Sequence, residues 1–94
     1  MIFADTARAD LEEIWEYSAD KWGIEQADRY VQSLAKAAED AAAGRLHSRA
    51  LDFVRPGLRK ARYVRHFLYF RETASGIRVV RVLHDRMDET LHLL

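Results

Sequence analysis

The apolar spacing along this chain changes period once, and that change restricts the folds open to it. Up to Gly44 the apolar residues recur along one side of a helix, whereas beyond Pro56-Gly57 they gather into short runs of Phe, Tyr, Val and Ile. Helical segments followed by strands indicate an α+β fold rather than an alternating parallel sheet. The 94 residues suffice for one domain, spanning 1–94.

Residues 7–21 predict a first helix. Ala7, Leu11, Ile14 and Ser18 follow one face, and Trp15, Ala19 and Trp22 widen it. Asp5 or Thr6 is placed to cap its start, and Asp10, Glu12 and Glu13 suit the positive end of its dipole. Gly23 fits its stop, with Ile24 as the apolar contact beyond. Residues 25–43 predict a second helix that buries Ala27, Val31, Leu34, Ala38 and Ala41 and ends at Gly44. So short a connection makes the two helices antiparallel neighbours.

Residues 45–57 carry no period and read as an irregular crossover. Residues 58–62 predict a strand, and residues 65–72 and 77–84 predict a hairpin closed by Thr73-Ala74-Ser75-Gly76. With Glu72 opposite Ile77, one face carries Val64, His66, Leu68, Phe70, Ile77, Val79, Arg81 and Leu83. The other carries Arg65, Phe67, Tyr69, Arg71, Arg78, Val80, Val82 and His84. The first face is more apolar and is expected against the helices. Residues 85–94 read as a terminal turn or strand whose Leu91, Leu93 and Leu94 require cover from the sheet or from a partner. The expected architecture is an N-terminal antiparallel helical hairpin on a small, three- to four-stranded, mainly antiparallel sheet.

Several chemistries lack their residues. There is no cysteine, and His47, His66, His84 and His92 have no ligand spacing, so no metal and no cofactor is expected. Glycines 23, 44, 57 and 76 build neither a dinucleotide fingerprint nor a phosphate loop. Ser18, Ser48 and Ser75 have no nucleophile elbow around them. No apolar run is long enough to span a membrane, and Met1–Asp5 lacks the pattern of a signal peptide, so a cytoplasmic protein is expected.

Charge is divided along the chain. Residues 1–44 hold ten acids and four bases, and residues 45–94 hold eleven bases and five acids. Ten of those eleven bases are arginine, which suits carboxylate and phosphate alike. The second sheet face, with an apolar middle between arginines, offers a groove for an amphipathic acidic helix or strand. Stacking of single-stranded nucleic acid on Phe67 and Tyr69 is a rival use, and cover by the chain's own tail is a third. A metal-free ribonuclease would draw on Arg59, Arg62, Arg81 and His84.

Ala7-Arg8-Ala9-Asp10-Leu11-Glu12-Glu13-Ile14-Trp15-Glu16-Tyr17, Arg55-Pro56-Gly57-Leu58-Arg59-Lys60, His66–Arg71, Ile77–His84 and Arg86-Met87-Asp88 follow one another in an order that resembles the ParE toxins of the RelE/ParE superfamily. The resemblance implies a RelE/ParE-like fold, a ParD-type antitoxin that folds across the toxin, a heterotetramer or larger complex, and poisoning of DNA gyrase. It implies no direct sequence-specific DNA binding by the toxin. On it, Arg65, Phe67, Tyr69, Arg71, Arg78, Val80 and Val82 are expected to receive the antitoxin, and Arg59, Arg81, Arg86, Met87 and Asp88 to contact the target. The ribonuclease branch, similar to RelE, commonly uses a tyrosine near its C-terminus, whereas the last tyrosine here is Tyr69. A binding module without toxicity is the remaining alternative.

Overall fold

In the computed structural model, which describes residues 1–93, strand β1 (Ile2–Phe3) leads into helices α1 (Asp5–Trp22) and α2 (Ile24–Ala42). Strands β2 (Ser48–Ala50), β3 (Leu58–Tyr63), β4 (His66–Thr73) and β5 (Gly76–His84) follow, and helix α3 (Glu89–Leu93) comes last. Leu94, grouped above with Leu91 and Leu93, lies outside the described residues. The helical hairpin and the central β3–β4–β5 meander are as the periodicity predicts.

The sheet has five strands in the order β1-β5-β4-β3-β2, with β1 parallel to β5 and the other pairs antiparallel. The two added strands lie at its edges. β1 and β2 hold two and three residues, too few to show a period, and they form because β5 and β3 present open edges. Pairing of β1 also sets the start of α1. The Ala4 amide donates to the Val79 carbonyl at 2.8 Å, and Ala4 then occupies the N-cap position without a side-chain cap. Thr6, expected as a cap, instead donates from Oγ1 to the Val80 carbonyl at 2.7 Å. Gly23 alone joins the helices at φ 95°, a conformation that costs glycine little. Ile24 begins α2 and is 62% exposed, so it does not close the end of α1.

Alanines bring α2 close to the sheet. Ala7 of α1 and Leu34, Ala37 and Ala38 of α2 pack on Ala61, Leu68, Phe70, Ile77, Val79 and Val82. On the opposite face, Leu51, Leu58, Tyr69, Leu83 and Leu93 form a second core, with Val54, Phe67 and Val80 at its margin. Of the uses weighed for this face, cover by the chain's own tail is therefore met in part, by α3.

A bulge corrects the predicted alternation. Tyr69 pairs with Arg81 and Phe70 with Val79, so Val80 is passed over. Residues 77–80 keep their predicted faces, but every later residue of β5 is reversed. Val82 enters the helix-side core and Leu83 the opposite one, while His84 comes to lie against His66 at a ring separation of 5.3 Å. Val64, expected in the strand face, occupies the β3–β4 turn at φ 55°.

Asp10 is buried rather than solvated at the helix start. Its carboxylate accepts hydrogen bonds from Arg81 Nε at 2.8 Å, Arg81 Nη2 at 2.9 Å and the Val82 amide at 2.9 Å. This fork holds α1 against β5 just beyond the bulge. Removal of the carboxylate leaves a half-buried guanidinium with only the His92 carbonyl, at 3.3 Å, and a buried amide without a partner. Asp10→Ala should cost ~2–4 kcal/mol in urea unfolding. A loss below ~1 kcal/mol would show that solvent replaces the carboxylate.

Candidate functional site

The residues expected to bind partners divide between two surfaces. Phe67, Tyr69 and Val80 share the sheet face that α3 covers. There the Tyr69 hydroxyl donates to Glu89 Oε2 at 2.7 Å, and Lys60 Nζ donates to the same oxygen at 2.9 Å. Arg55 Nε reaches the Leu93 carbonyl at 2.8 Å, a cation on the open end of a helix. Burial, and then the Glu89 carboxylate, raise the ionisation of Tyr69 well above the usual phenol range. Burial pushes the Glu89 carboxyl upward, but the hydrogen bonds from Lys60 and Tyr69 outweigh it and hold the group below its ordinary value. Tyr69 is thus a core residue that anchors α3. Lys60 lies 4.3 Å from the Phe67 ring centre, which keeps Phe67 half-buried under a cation.

Arg71 and Arg78 stand directly opposite each other near the hairpin end, an unfavourable like-charge pair. Arg71 is turned aside to donate to the Pro56 carbonyl at 3.0 Å, and Arg78 is exposed. Arg65 and Val82 leave this face altogether, Arg65 because it lies in the β3–β4 turn and Val82 because of the bulge.

Arg65 joins a groove on the other side. It runs between the helical hairpin and the ends of β4 and β5, with a volume of about 1060 Å³. Arg65, Arg86 and Met87 line it together with Trp22, Tyr30 and Tyr63. Apolar side chains stand open around it: Tyr17 is 59% exposed, Trp22 53%, Val64 59% and Met87 47%. Tyr30 and Tyr63 pack at 6.0 Å, and the Tyr30 hydroxyl lies 2.6 Å from His66 Nδ1. The sequence pattern offered little warning of this groove, because its walls come from both helices, from β3, β4 and β5, and from the segment that follows β5.

The other expected target contacts are engaged within the chain. Arg59 donates to the hydroxyl and the carbonyl of Ser48 at 2.9 and 3.0 Å, and so ties β3 to β2. Arg81 is held by Asp10, a hydrogen bond that raises its already high ionisation further. Arg62, a candidate of the ribonuclease reading and not of the target contact, pairs with Asp85 at 2.7 Å. Asp88 accepts from the Thr90 amide at 2.9 Å at the start of α3. Neither grouping has the form of a metal centre, and among the described residues no three His, Asp or Glu side chains gather to hold an ion. Among them, too, no helix is long and apolar enough to cross a membrane.

Comparison with known proteins adds to this geometry. The family model of the ParE toxin of the type II toxin–antitoxin system parDE matches residues 1–89. Toxin ParE1 of Mycobacterium tuberculosis is 47% identical over 88 residues, covering 93% of this chain and 90% of the relative. Toxin ParE1 of Caulobacter vibrioides is 33% identical over 87 residues, with coverage of 93% and 90%. In a solved structure of the chromosomal ParDE system from P. aeruginosa, a chain superposes with a TM-score of 0.71 at 22% identity, over 87% of this chain and 90% of its own. That likeness is one of fold.

Two outcomes follow from the groove. His66 titrates at about 4, because burial disfavours the imidazolium and His84 adds to the effect, against a smaller opposing pull from Asp85. In the unfolded chain it takes up its proton near pH ~6.5, so between these values the unfolded state binds more protons. Stability should therefore fall as pH drops from ~6.5 toward ~4, by ~1–2 kcal/mol once partial exposure is allowed for. Urea unfolding near pH ~7.5 and pH ~5 measures it, and a slope equally steep in His66→Gln would reject the assignment. Val64 is β-branched and left-handed, a strained combination. Val64→Asn should raise stability by ~1 kcal/mol in thermal melts, and a decrease would show that Val64 contacts outweigh the strain.

Proposed function

Because the chain belongs to the ParE toxin family of type II toxin–antitoxin systems, we propose that it poisons DNA gyrase in the cytoplasm and is neutralised by a ParD-type antitoxin. The observation that carries this reading is the convergence of Arg65, Arg86 and Met87 on one open, aromatic-walled groove. Arg86 and Met87 supply the target contacts, and an antitoxin segment that fills the groove covers both. Neutralisation is then occlusion, and it requires no change in the toxin's fold. Binding also stabilises a small domain by mass action.

The toxin acts without catalysis in this reading. Arg59, Arg62 and Arg81, which a ribonuclease would turn toward a phosphate, are held by Ser48, Asp85 and Asp10. They belong to three different contacts and do not converge on a common point. The antitoxin supplies any contact with operator DNA, within a heterotetramer or larger complex. Of the sheet-face residues, Phe67, Arg71, Arg78 and Val80 retain accessible surface and extend the antitoxin contact beyond the groove. Tyr69 and Val82 are withdrawn from it by burial.

A supercoiling assay on relaxed plasmid with gyrase and ATP tests the proposal. Purified chain should abolish supercoiling or trap cleaved DNA, and antitoxin should restore the activity. Arg86→Ala with Met87→Ala should weaken inhibition by about tenfold while the fold is retained. Undisturbed gyrase at an excess of folded protein would reject the target. Cuts in translated messages would then favour the ribonuclease alternative.

A further inference from the structure

Among the described residues, the large apolar side chains most open to solvent are Phe53 and Leu91, at 82% and 79% exposure. Both belong to the segments that close the second core, on the sheet face away from the groove. Neither is carried loosely. The turn that bears Phe53 is tied by the Val54 and Arg55 amides, which donate to the Leu51 carbonyl at 2.9 and 3.0 Å. The Gly57 amide donates to Asp52 at 2.8 Å, and Leu51 and Val54 pack in the core on either side of Phe53. Leu91 sits on α3, which the bonds of Glu89 and the burial of Leu93 fix at its two ends. The Arg55 bond to the Leu93 carbonyl joins the two segments. Two pre-organised apolar anchors therefore project from adjoining parts of one face.

The charges around these anchors are divided. The Phe53 side carries Arg49 and Arg55, both exposed, while its Asp52 carboxylate is turned back to Gly57. The Leu91 side carries Asp88 and Glu89. Asp88 gives one carboxylate oxygen to the Thr90 amide and keeps the second. A face with an apolar anchor and cations on one side, and an apolar anchor and acids on the other, complements itself under a two-fold rotation. A strongly acidic or strongly basic partner would meet like charge on one half of it. The formal net charge is zero at pH 7, so two copies of the chain approach without long-range repulsion.

We propose that the chain pairs with a second copy of itself through this face, in a symmetric contact. Phe53 and Arg49 of each protomer meet Leu91 and Asp88 of the other. The groove lies between the helical hairpin and the sheet, so both grooves of the dimer stay open. The contact does not depend on the identity of the toxin's target.

Sedimentation velocity of the full chain without antitoxin, from about 1 to 300 µM, tests the proposal, and a reversible monomer–dimer equilibrium is expected in that range. Phe53→Glu and Leu91→Glu, each checked by circular dichroism, should raise the dimer dissociation constant by about tenfold or more. Arg49→Glu should weaken the dimer about threefold, and adding Asp88→Arg should bring it back to within about twofold of the native value. In an equal mixture of ¹³C-labelled and unlabelled native chain, isotope-filtered NMR should connect the Phe53 ring of one protomer with the Leu91 methyls of the other, a readout that needs no variant. A chain that stays monomeric, a dimer indifferent to both glutamate substitutions, no recovery on the charge exchange, or no contact between Phe53 and Leu91 across protomers would each overturn the proposal. Growth beyond the dimer would overturn it in favour of a head-to-tail contact. A monomeric chain that loses antitoxin binding in Phe53→Glu would assign the face to the antitoxin instead. Undisturbed gyrase would reject the function proposed above and leave the dimer standing.

Discussion

The fork between Asp10 and Arg81 holds together parts of the chain that share little else. Asp10 is on the first helix and Arg81 on the last strand, and the carboxylate also takes the Val82 amide. Arg81 extends its reach to the His92 carbonyl at 3.3 Å, so the same guanidinium touches the terminal helix. A bidentate arginine–carboxylate pair fixes both distance and orientation. Helix α1 is thereby held in place on β5, and the groove between the helical hairpin and the sheet is bounded by that position. The pair is half-buried, so its value lies as much in orientation as in net stability.

The bulge and the fork act at one point on β5. Val80 is passed over in the ladder, its carbonyl accepts from Thr6, and the amide of Val82 turns to Asp10. Beyond this point the strand presents Val82 and His84 to the helices instead of Arg81 and Leu83. The sheet consequently has two cores. One lies under the hairpin, and the other, around Tyr69 and Leu83, is closed by a terminal helix of five residues. The Lys60–Glu89–Tyr69 cluster holds that helix by charge-assisted hydrogen bonds, which suits a segment with a single buried leucine.

The position of His84 links this local irregularity to the proposed function. On an unbroken strand it would face away from His66. On the bulged strand the two imidazoles meet, and Arg86 and Met87 are carried to the same rim. The groove thus combines apolar surface with cations, a set suited to an acidic amphipathic partner.

The order of its motifs carried the resemblance to ParE toxins, and periodicity and composition by themselves determined the two helices, the central meander and the pairing of Glu72 with Ile77. These depend on local preference and on runs long enough to display a period. The two edge strands were not legible, because two or three residues have no period and acquire one only beside an existing strand. Nor was the face of Val82, Leu83 and His84, because one unpaired residue reverses everything after it. Asp10 looked like one more acid at a helix start, since only the approach of Arg81, some seventy residues away in sequence, makes it a buried partner. The tertiary structure alone decided that the tail covers the sheet and that the open surface is the groove, because both follow from contacts between residues distant in the chain.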